Sequence, residues 1–310
     1  MKKYLITGGA GFIGSHLVDL LLNMQYQVIV VDDLSFGKLE NLPSENIIFI
    51  NKPAQQLNLL EIEGIDGIFH LAAQASVPLS IENFYESSKN NLESSLKVLD
   101  IARQLSIPLV YATSSAVYGN LPLGSDEIAI FDLQSPYALD KLVLEQYASI
   151  AYKIYGVSSI GLRFFNVYGP RQDPSNPYSG VISIFANRML TQQTITVNGG
   201  HQTRDFIYVG DIVNTLYKSM VLASEKKCCE SINVGTGVSM SINALVEVLS
   251  ELIQANPKID YQDLPFGDPE KSEGTYAKLE KILNIKLNEL LSLKDGLEKT
   301  INYFKASNGI

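Results

Sequence analysis

Tyr137 and Lys141 stand four residues apart in a stretch with helical patterning that opens at Pro136. Residues at that spacing share one face of a helix, a turn from each other. An ammonium there would stabilise a phenolate and draw the phenol's pKa down from about 10. The pair could then accept and return a proton nearer neutrality. Thr113, Ser114 and Ser115 close a β-like run, with Ser114 lying 23 residues before Tyr137. In parallel sheets, ligands bind at strand ends of this kind. The blander reading is a surface Tyr and Lys beside a satisfied Ser. It loses ground because a second constellation opens the chain.

That constellation is Gly8, Gly11 and Gly14, spaced G-x-x-G-x-x-G between the apolar run 4–7 and a helical pattern over 15–23. The first glycine permits a tight turn, the second lets backbone approach a pyrophosphate, and the third lets helix pack on strand. The helix N-terminus that follows, with Phe12 and Ile13, favours an anion. A β-branched run over 28–31 ends at Asp32, 24 residues after Gly8. An acid at that distance bonds an adenosine ribose and repels a 2′-phosphate, so the expected cofactor is NAD rather than NADP. Lys38 is the one nearby cation that argues otherwise, and a loop cap is the alternative role for Asp32.

The elements needed to hold these groups are legible. β-like runs at 4–7, 28–31, 47–50, 67–71, 108–112 and 158–165 alternate with helical stretches, notably 82–105 and 136–155. Such alternation predicts an α/β fold with a doubly wound parallel sheet. After Asn166 the texture changes: residues 169–180 carry Pro170, Pro174 and Pro177 and read as a loop. Helices are expected at 181–190, 211–222 and 242–252. The division expected is a dinucleotide-binding domain over 1–165 and a smaller mixed substrate domain over 166–310. The second is discontinuous, with parts of 201–240, such as residues 231–234, returning to the first half.

The 310 residues carry 24 Lys+Arg and 33 Asp+Glu, a net charge of −9. That balance disfavours a nucleic-acid binder. Hydrophobic residues make up 46% and charged residues 18%, which suits a folded chain and excludes disorder. The only cysteines, Cys228 and Cys229, are adjacent, so no ordinary disulfide and no metal framework is expected. A reducing, cytoplasmic setting fits. No apolar run reaches the roughly 20 residues that span a bilayer. The opening Met1-Lys2-Lys3 mimics a signal peptide, but glycines interrupt the apolar run and no cleavage site follows.

The chain resembles the extended short-chain dehydrogenase/reductase family, in its nucleotide-sugar epimerase/dehydratase branch. The matching segments are GGAGFIG at 8–14, VDDLSFG at 31–37, HLAA at 70–73, Asn90-Asn91 and TSSAVYG at 113–119. SPYALDK at 135–141, RFFNVYGPR at 163–171 and QTRDFIYVGD at 202–211 continue them in family order. The resemblance implies a Rossmann fold and roles for its residues. Tyr137 would take the proton of a sugar 4-hydroxyl while the C4 hydride passes to NAD. Lys141 would bond the nicotinamide ribose, and Ser114 would bridge Tyr137 and the sugar oxygen. Gly8, Gly11 and Gly14 would hold the pyrophosphate and Asp32 the ribose. Leu71, Ala72 and Ala73 would line the cofactor groove, approached by Asn90 or Asn91. Ser115, Asn166, Val181 (within a base-pocket segment 178–185), Arg204 and Ser272 would contact the substrate, with Arg204 on the diphosphate.

Relatives that eliminate or decarboxylate carry an acid in the segment after the catalytic hydroxyl, where this chain has Ala116. Without that acid/base group, a 4-epimerase is the expected reaction. Two departures stand out. Pro265 replaces an Arg that contacts the diphosphate in relatives, with Lys271 as a possible substitute, and Asn51-Lys52-Pro53-Ala54 lacks a Gly-Asp that meets adenine. Seven residues past Pro265, Ser272 falls at a position where small residues admit N-acetylhexosamines. The substrate pair expected is therefore UDP-GlcNAc/UDP-GalNAc, with UDP-glucose/UDP-galactose beside it. The alternatives are a uronic acid epimerase or an NAD(P)H-dependent ketoreductase of the family, and more remotely a non-catalytic dinucleotide-binding scaffold. The expected partners are a UDP-sugar and a second copy of the chain, helices 82–105 and 136–155 pairing in a four-helix bundle. Nucleic acid, membrane and metal are not expected.

Overall fold

The computed structural model describes residues 1–176, 179–265 and 268–310. In chain order its elements are β1 (Lys3–Thr7), α1 (Phe12–Asn23), β2 (Gln27–Asp32), β3 (Ile47–Asn51), β4 (Gly67–His70), α2 (Val77–Glu82) and α3 (Phe84–Leu105). Then come β5 (Leu109–Ser114), α4 (Pro136–Tyr155), β6 (Ser159–Phe164), β7 (Asn166–Tyr168), α5 (Val181–Leu190), β8 (Ile195–Asn198) and β9 (Thr203–Tyr208). The chain ends with α6 (Val209–Glu225), β10 (Cys229–Val234), β11 (Ser239–Ser241), α7 (Ile242–Ile253), β12 (Ile259–Gln262), α8 (Ala277–Leu283) and α9 (Leu293–Asn308).

The main sheet has seven strands in the order β10-β6-β5-β4-β1-β2-β3. β3, β2, β1, β4 and β5 pair in parallel throughout. The order reverses at β1, so the chain winds outward both ways from it. That is the doubly wound arrangement, and it leaves a crevice at the strand C-termini beside β1. The strands read as near-continuous apolar runs because both faces are covered; Leu5, Ile6, Val30, Ile68 and Phe69 are buried.

Contacts divide the chain into two compact units. The first comprises residues 1–117, 135–163 and 213–232; the second comprises 118–134, 164–212 and 233–310. Residues 213–232 thus lie with the first unit and residues 118–134 with the second. In the first unit, Leu5, Ile29, Ile68 and Tyr111 from the sheet pack with Val98, Ala102, Leu144 and Ala148 from α3 and α4. In the second, β11 runs antiparallel and β7 parallel to β9, while β8 and β12 form a separate parallel pair. Its core is built from Phe185, Ile195, Val197, Leu245, Leu249 and Phe304.

The expected helix over 82–105 forms as α3, and a short helix that was not expected, α2, precedes it. Ser76 caps α2 through its hydroxyl, which accepts from the Leu79 N–H, and Pro78 sits in the first turn, where its missing N–H costs nothing. Asn83 (φ −120°, ψ 55°) then breaks the path before α3 begins.

A buried ion pair fastens α4 to the sheet. Glu145 accepts from Arg163 Nε at 2.9 Å and from Nη2 at 2.5 Å, and Thr113 Oγ1 donates to the same carboxylate at 2.8 Å. Both charged side chains are about 5% exposed. Removing one partner of such a pair strands the other charge in a low dielectric. Glu145→Gln is expected to lower the unfolding free energy by about 3–5 kcal/mol in urea titration; a loss below about 1 kcal/mol would refute this account.

Candidate active site

The site in the first unit begins at the turn after β1. Gly8 has φ +72°, and a Cβ on it would lie 2.6 Å from the Ala72 nitrogen. A Cβ at Gly14 would lie 2.1 Å from the Gly8 carbonyl oxygen. Both positions therefore exclude any side chain, and the turn is pressed against residues 71–72. Gly11 is the N-cap of α1 and provides no side-chain cap, so no side chain covers the first N–H groups of the helix, which begins at Phe12 and Ile13.

Asp32 ends β2 and is 8% exposed. Its Oδ2 accepts from the Ala10 N–H and its Oδ1 from the Leu34 N–H, each at 2.9 Å. Burial raises its pKa and the two N–H donors oppose that rise. Each oxygen retains a further lone pair for a hydroxyl. A bare helix N-terminus, a turn without side chains and an acid aimed at the same turn suit a dinucleotide bearing an unphosphorylated ribose, so the residues fit NAD.

Behind residues 71–73 runs a buried polar chain. The Ala72 N–H donates to Thr7 Oγ1 at 3.4 Å, Thr7 Oγ1 meets His70 Nδ1 at 2.7 Å, and His70 Nε2 meets Ser95 Oγ at 3.4 Å. Burial, with Lys141 adding to it, pushes the His70 pKa down to about 3. A neutral ring there holds Thr7, and Thr7 holds the Ala72 backbone. Sequence reasoning included His70 only within the HLAA match.

At the end of β5, Ser114 is hydrogen-bonded to Tyr137, and its Oγ accepts from the Ala116 N–H at 3.1 Å. Ser115 follows, partly buried, in a single 3₁₀ turn. Helix α4 starts under a Ser135 cap with Pro136 in its first turn. Ser80 Oγ accepts from the Tyr137 N–H at 3.3 Å. Lys141 Nζ donates to the Ala112 carbonyl at 2.9 Å and lies 5.7 Å from the Tyr137 ring centroid. The fold thus brings Ser114, Tyr137 and Lys141 together.

The expected electrostatics need correction. Burial is the largest influence on Tyr137 and raises its pKa; the Ser114 hydrogen bond works downward and the Asp140 charge upward. Lys141 is itself pushed down to about 8 by burial, so its ammonium is weakened as a source of stabilisation. Desolvation outweighs the helical pairing from which a lowered phenol was expected.

Of Asn90 and Asn91, Asn90 is exposed and Asn91 is buried. Asn91 Oδ1 accepts from the Gln74 N–H at 2.8 Å, and its Nδ2 donates to Asp140 Oδ2 at 3.1 Å.

The second unit holds the remaining residues. Asn166 Nδ2 donates to the Asp205 carbonyl at 3.2 Å, and Val181 is the first residue of α5. Arg204 is 8% exposed. Its Nη1 donates to the Thr203 carbonyl at 2.7 Å and its Nη2 pairs with Asp268. The neighbouring Asp205 is engaged elsewhere, by Thr236, Gly237 and Tyr276. Ser272 is partly buried, two residues before Gly274, whose backbone bridges Gly124. Pro265 and Lys271 are exposed. Tyr178 and Gly267 lie outside the described residues. Among the described residues, no cluster of His, Cys, Asp and Glu could hold a metal ion, and no helix is long and apolar enough to cross a membrane.

The His70 geometry sets a pH dependence. The unfolded imidazole titrates near 6.5 and the folded one near 3, so between these values the unfolded state binds more protons. Stability is full above the unfolded value and falls as pH drops through that window, by about 1.4 kcal/mol per unit. Urea titrations at pH 6.5 and 5 are expected to show this loss, with a smaller one in His70→Gln. Equal pH slopes in the two proteins would contradict the assignment.

The family model described as "NAD dependent epimerase/dehydratase family" matches residues 4–235. A putative UDP-glucose 4-epimerase of Methanocaldococcus jannaschii is 35% identical over 98% of this chain and 99% of that protein. The crystal structure of a Thermotoga maritima UDP-glucose 4-epimerase with UDP-glucose superposes with a TM-score of 0.92 at 34% identity, covering 99% of both chains. A Methanobrevibacter ruminantium UDP-N-acetylglucosamine 4-epimerase in complex with UDP-N-acetylmuramic acid gives 0.91 at 36% identity, again over 99% of both. With these likenesses beside a turn, an acid and a helix that fit the dinucleotide, the chain belongs to the NAD-dependent epimerase/dehydratase family and is an enzyme of that UDP-sugar family with NAD as its cofactor.

Proposed function

We propose that the chain is an NAD-dependent 4-epimerase of a UDP-sugar, acting on UDP-GlcNAc/UDP-GalNAc with UDP-glucose/UDP-galactose as a second pair. The observation that carries this reading is the Ser114–Tyr137 hydrogen bond beside a buried Lys141, followed by a segment, residues 115–118, with no carboxylate. Bound NAD supplies the carrier for the C4 hydride. Tyr137 takes the proton from the sugar 4-hydroxyl as the C4–H bond breaks, leaving a 4-keto sugar. It would return that proton to the sugar oxygen once the sugar has turned its other face. Ser114 holds the oxygen in line with Tyr137, and Lys141 anchors the nicotinamide ribose. Elimination or decarboxylation needs a further acid or base, and Ala116 supplies none.

On the substrate side the roles fall to Ser115, Asn166, Val181, Arg204 and Ser272. Arg204 is a planar donor suited to a diphosphate, and small Ser272 leaves room for an N-acetyl group. The names of the Thermotoga and Methanobrevibacter proteins, 4-epimerases of UDP-glucose and UDP-N-acetylglucosamine, agree with the reaction and with both sugar pairs. NMR of the purified protein with each UDP-sugar and no added NAD(H) is expected to show the C4 epimer, faster from UDP-GlcNAc. Tyr137→Phe is expected to keep NAD bound and lose at least about 100-fold in kcat, the scale of acid–base catalysis. Net oxidation or reduction of cofactor, or activity within tenfold in the variant, would overturn the reading.

The enzyme further acts as a homodimer in a reducing, cytoplasmic setting, to which two free cysteines are suited. Support for the dimer is an apolar stripe on α4: Leu139 (46% exposed), Tyr147 (48%), Ile150 (49%) and Ile154 (64%) recur at helical spacing. Leu96 and Tyr85 on α3 are also exposed. A second copy of the same stripe is its natural cover, since a two-fold interface is self-complementary. Sedimentation at micromolar concentration is expected to give a dimer, and Tyr147→Glu with Ile150→Glu a monomer. A monomeric parent protein would refute it.

A further inference from the structure

Asp140 precedes Lys141 in SPYALDK, and no step of the proposed reaction uses it. It is 5% exposed and Lys141 6%, so two opposite charges lie consecutively on α4, out of water. We propose that Asp140 is a positioning residue: a buried counter-ion, locked in place by α3, that keeps the Lys141 ammonium charged and ties the helix bearing Tyr137 to the segment after β4. The inference rests on Tyr137 and Lys141 being the proton-transfer pair.

Geometry on both sides supports it. Lys141 Nζ has the neutral Ala112 carbonyl as its hydrogen-bond acceptor. One carbonyl does not balance the desolvation of an ammonium, and burial drives this lysine toward its neutral form while Asp140 opposes it. Burial raises the Asp140 pKa, and two uncharged donors from α3, Asn91 Nδ2 at 3.1 Å and the Ser88 hydroxyl, together with the Lys141 charge, oppose that rise. Hydrogen bonds from such donors favour the anion.

Asn91 extends the lock. It accepts from the Gln74 N–H at 2.8 Å and its Nδ2 reaches the Gln74 carbonyl at 3.3 Å. The Gln74 side chain in turn accepts from Ser87 Oγ at 2.8 Å and donates to the Ser76 carbonyl at 3.2 Å. Residue 74 directly follows the groove-lining Leu71, Ala72 and Ala73. One carboxylate therefore links the helix of the proton-transfer pair with the edge of the cofactor groove.

The surrounding elements add little competing charge. From α3 come Ser88 and Asn91, from α2 the Ser80 hydroxyl on the Tyr137 N–H, and from β5 the Ala112 carbonyl. From β4 comes His70, held neutral by burial. On α4 the other buried titratable groups are Tyr137, whose pKa burial and then the Asp140 charge raise, and Glu145, one turn on and paired with Arg163 of β6.

The test is a pH titration of the full-length protein carrying lysine labelled with ¹³C at the ε position, the Lys141 signal being assigned by its loss in Lys141→Met. In the parent protein the midpoint is expected at about 8. In Asp140→Asn and in Asp140→Ser it should fall by about one pH unit or more, a tenfold change in acid dissociation. A midpoint unmoved in both variants would overturn the proposal, because a merely structural role for Asp140 predicts that result. If neither variant folds, ¹³C-carboxyl aspartate in the parent protein serves instead: the Asp140 signal must inflect a second time at the Lys141 midpoint, and a single inflection overturns the proposal. Turnover by Tyr137→Phe would refute the proton-transfer reading while leaving this titration intact, so the two failures are distinguishable.

Discussion

Helix α4 places a phenol, an aspartate, a lysine and a glutamate on its buried side, at positions 137, 140, 141 and 145. Taking charges out of water costs several kcal/mol each unless geometry compensates. The first unit is built around that compensation. β5 supplies Ser114, the Ala112 carbonyl and Thr113; β6 supplies Arg163; α3 supplies Ser88 and Asn91. The partners come from two strands and a helix, so α4 cannot slide or rotate without stranding a charge. Leu144 and Ala148 on the same helix pack into the apolar core of the unit. Precision at Tyr137 thus follows from a buried face that is expensive to misplace.

The cofactor end obeys a different constraint, of volume rather than charge. The Gly8 turn and the Ala72 backbone approach until no Cβ fits between them, and close approach of backbone is what a pyrophosphate at a helix N-terminus requires. Thr7 and His70 hold the Ala72 side of that contact from behind, while Asp32 is held by the turn's own Ala10 N–H. The two constraints meet at residue 74, where Asn91 joins the groove edge to Asp140.

The strand–helix alternation and the glycine turn were legible because both rest on local pattern: apolar runs for buried parallel strands, and spacing for a turn without side chains. Other features depend on what lies across the fold. Asn90 and Asn91 are identical in type, and only the rotation of α3 decides that Asn91 faces inward. The short helix α2 went unread ahead of the expected helix, although the Ser76 cap and Pro78 signal its start. Segment 118–134 falls in the second unit through bonds remote in sequence, such as Asn233 N–H to Asp126 at 3.0 Å. Arg204 pairs with Asp268, 64 residues on, a partner that local spacing does not reveal. The pKa of Tyr137 was misjudged for the same reason: spacing reveals a nearby lysine, but burial is a property of the whole packing.

That misjudgement bears on how such a site works. A phenol raised by burial is a poor base when the protein stands alone, and a lysine lowered to about 8 is still mostly charged near neutrality but with a narrow margin. Both shifts have the same cause, the exclusion of water, and both respond to charge introduced nearby. A low dielectric makes the pair sensitive to each charge that enters it, and Asp140 is the fixed one. Its carboxylate raises both groups, so it helps Lys141 stay cationic while making Tyr137 harder to ionise. The arrangement therefore favours a neutral phenol and a charged lysine at rest. In the proposed reaction, proton transfer at Tyr137 would then depend on charge arriving with the reactants, which would restrict the chemistry to the assembled complex.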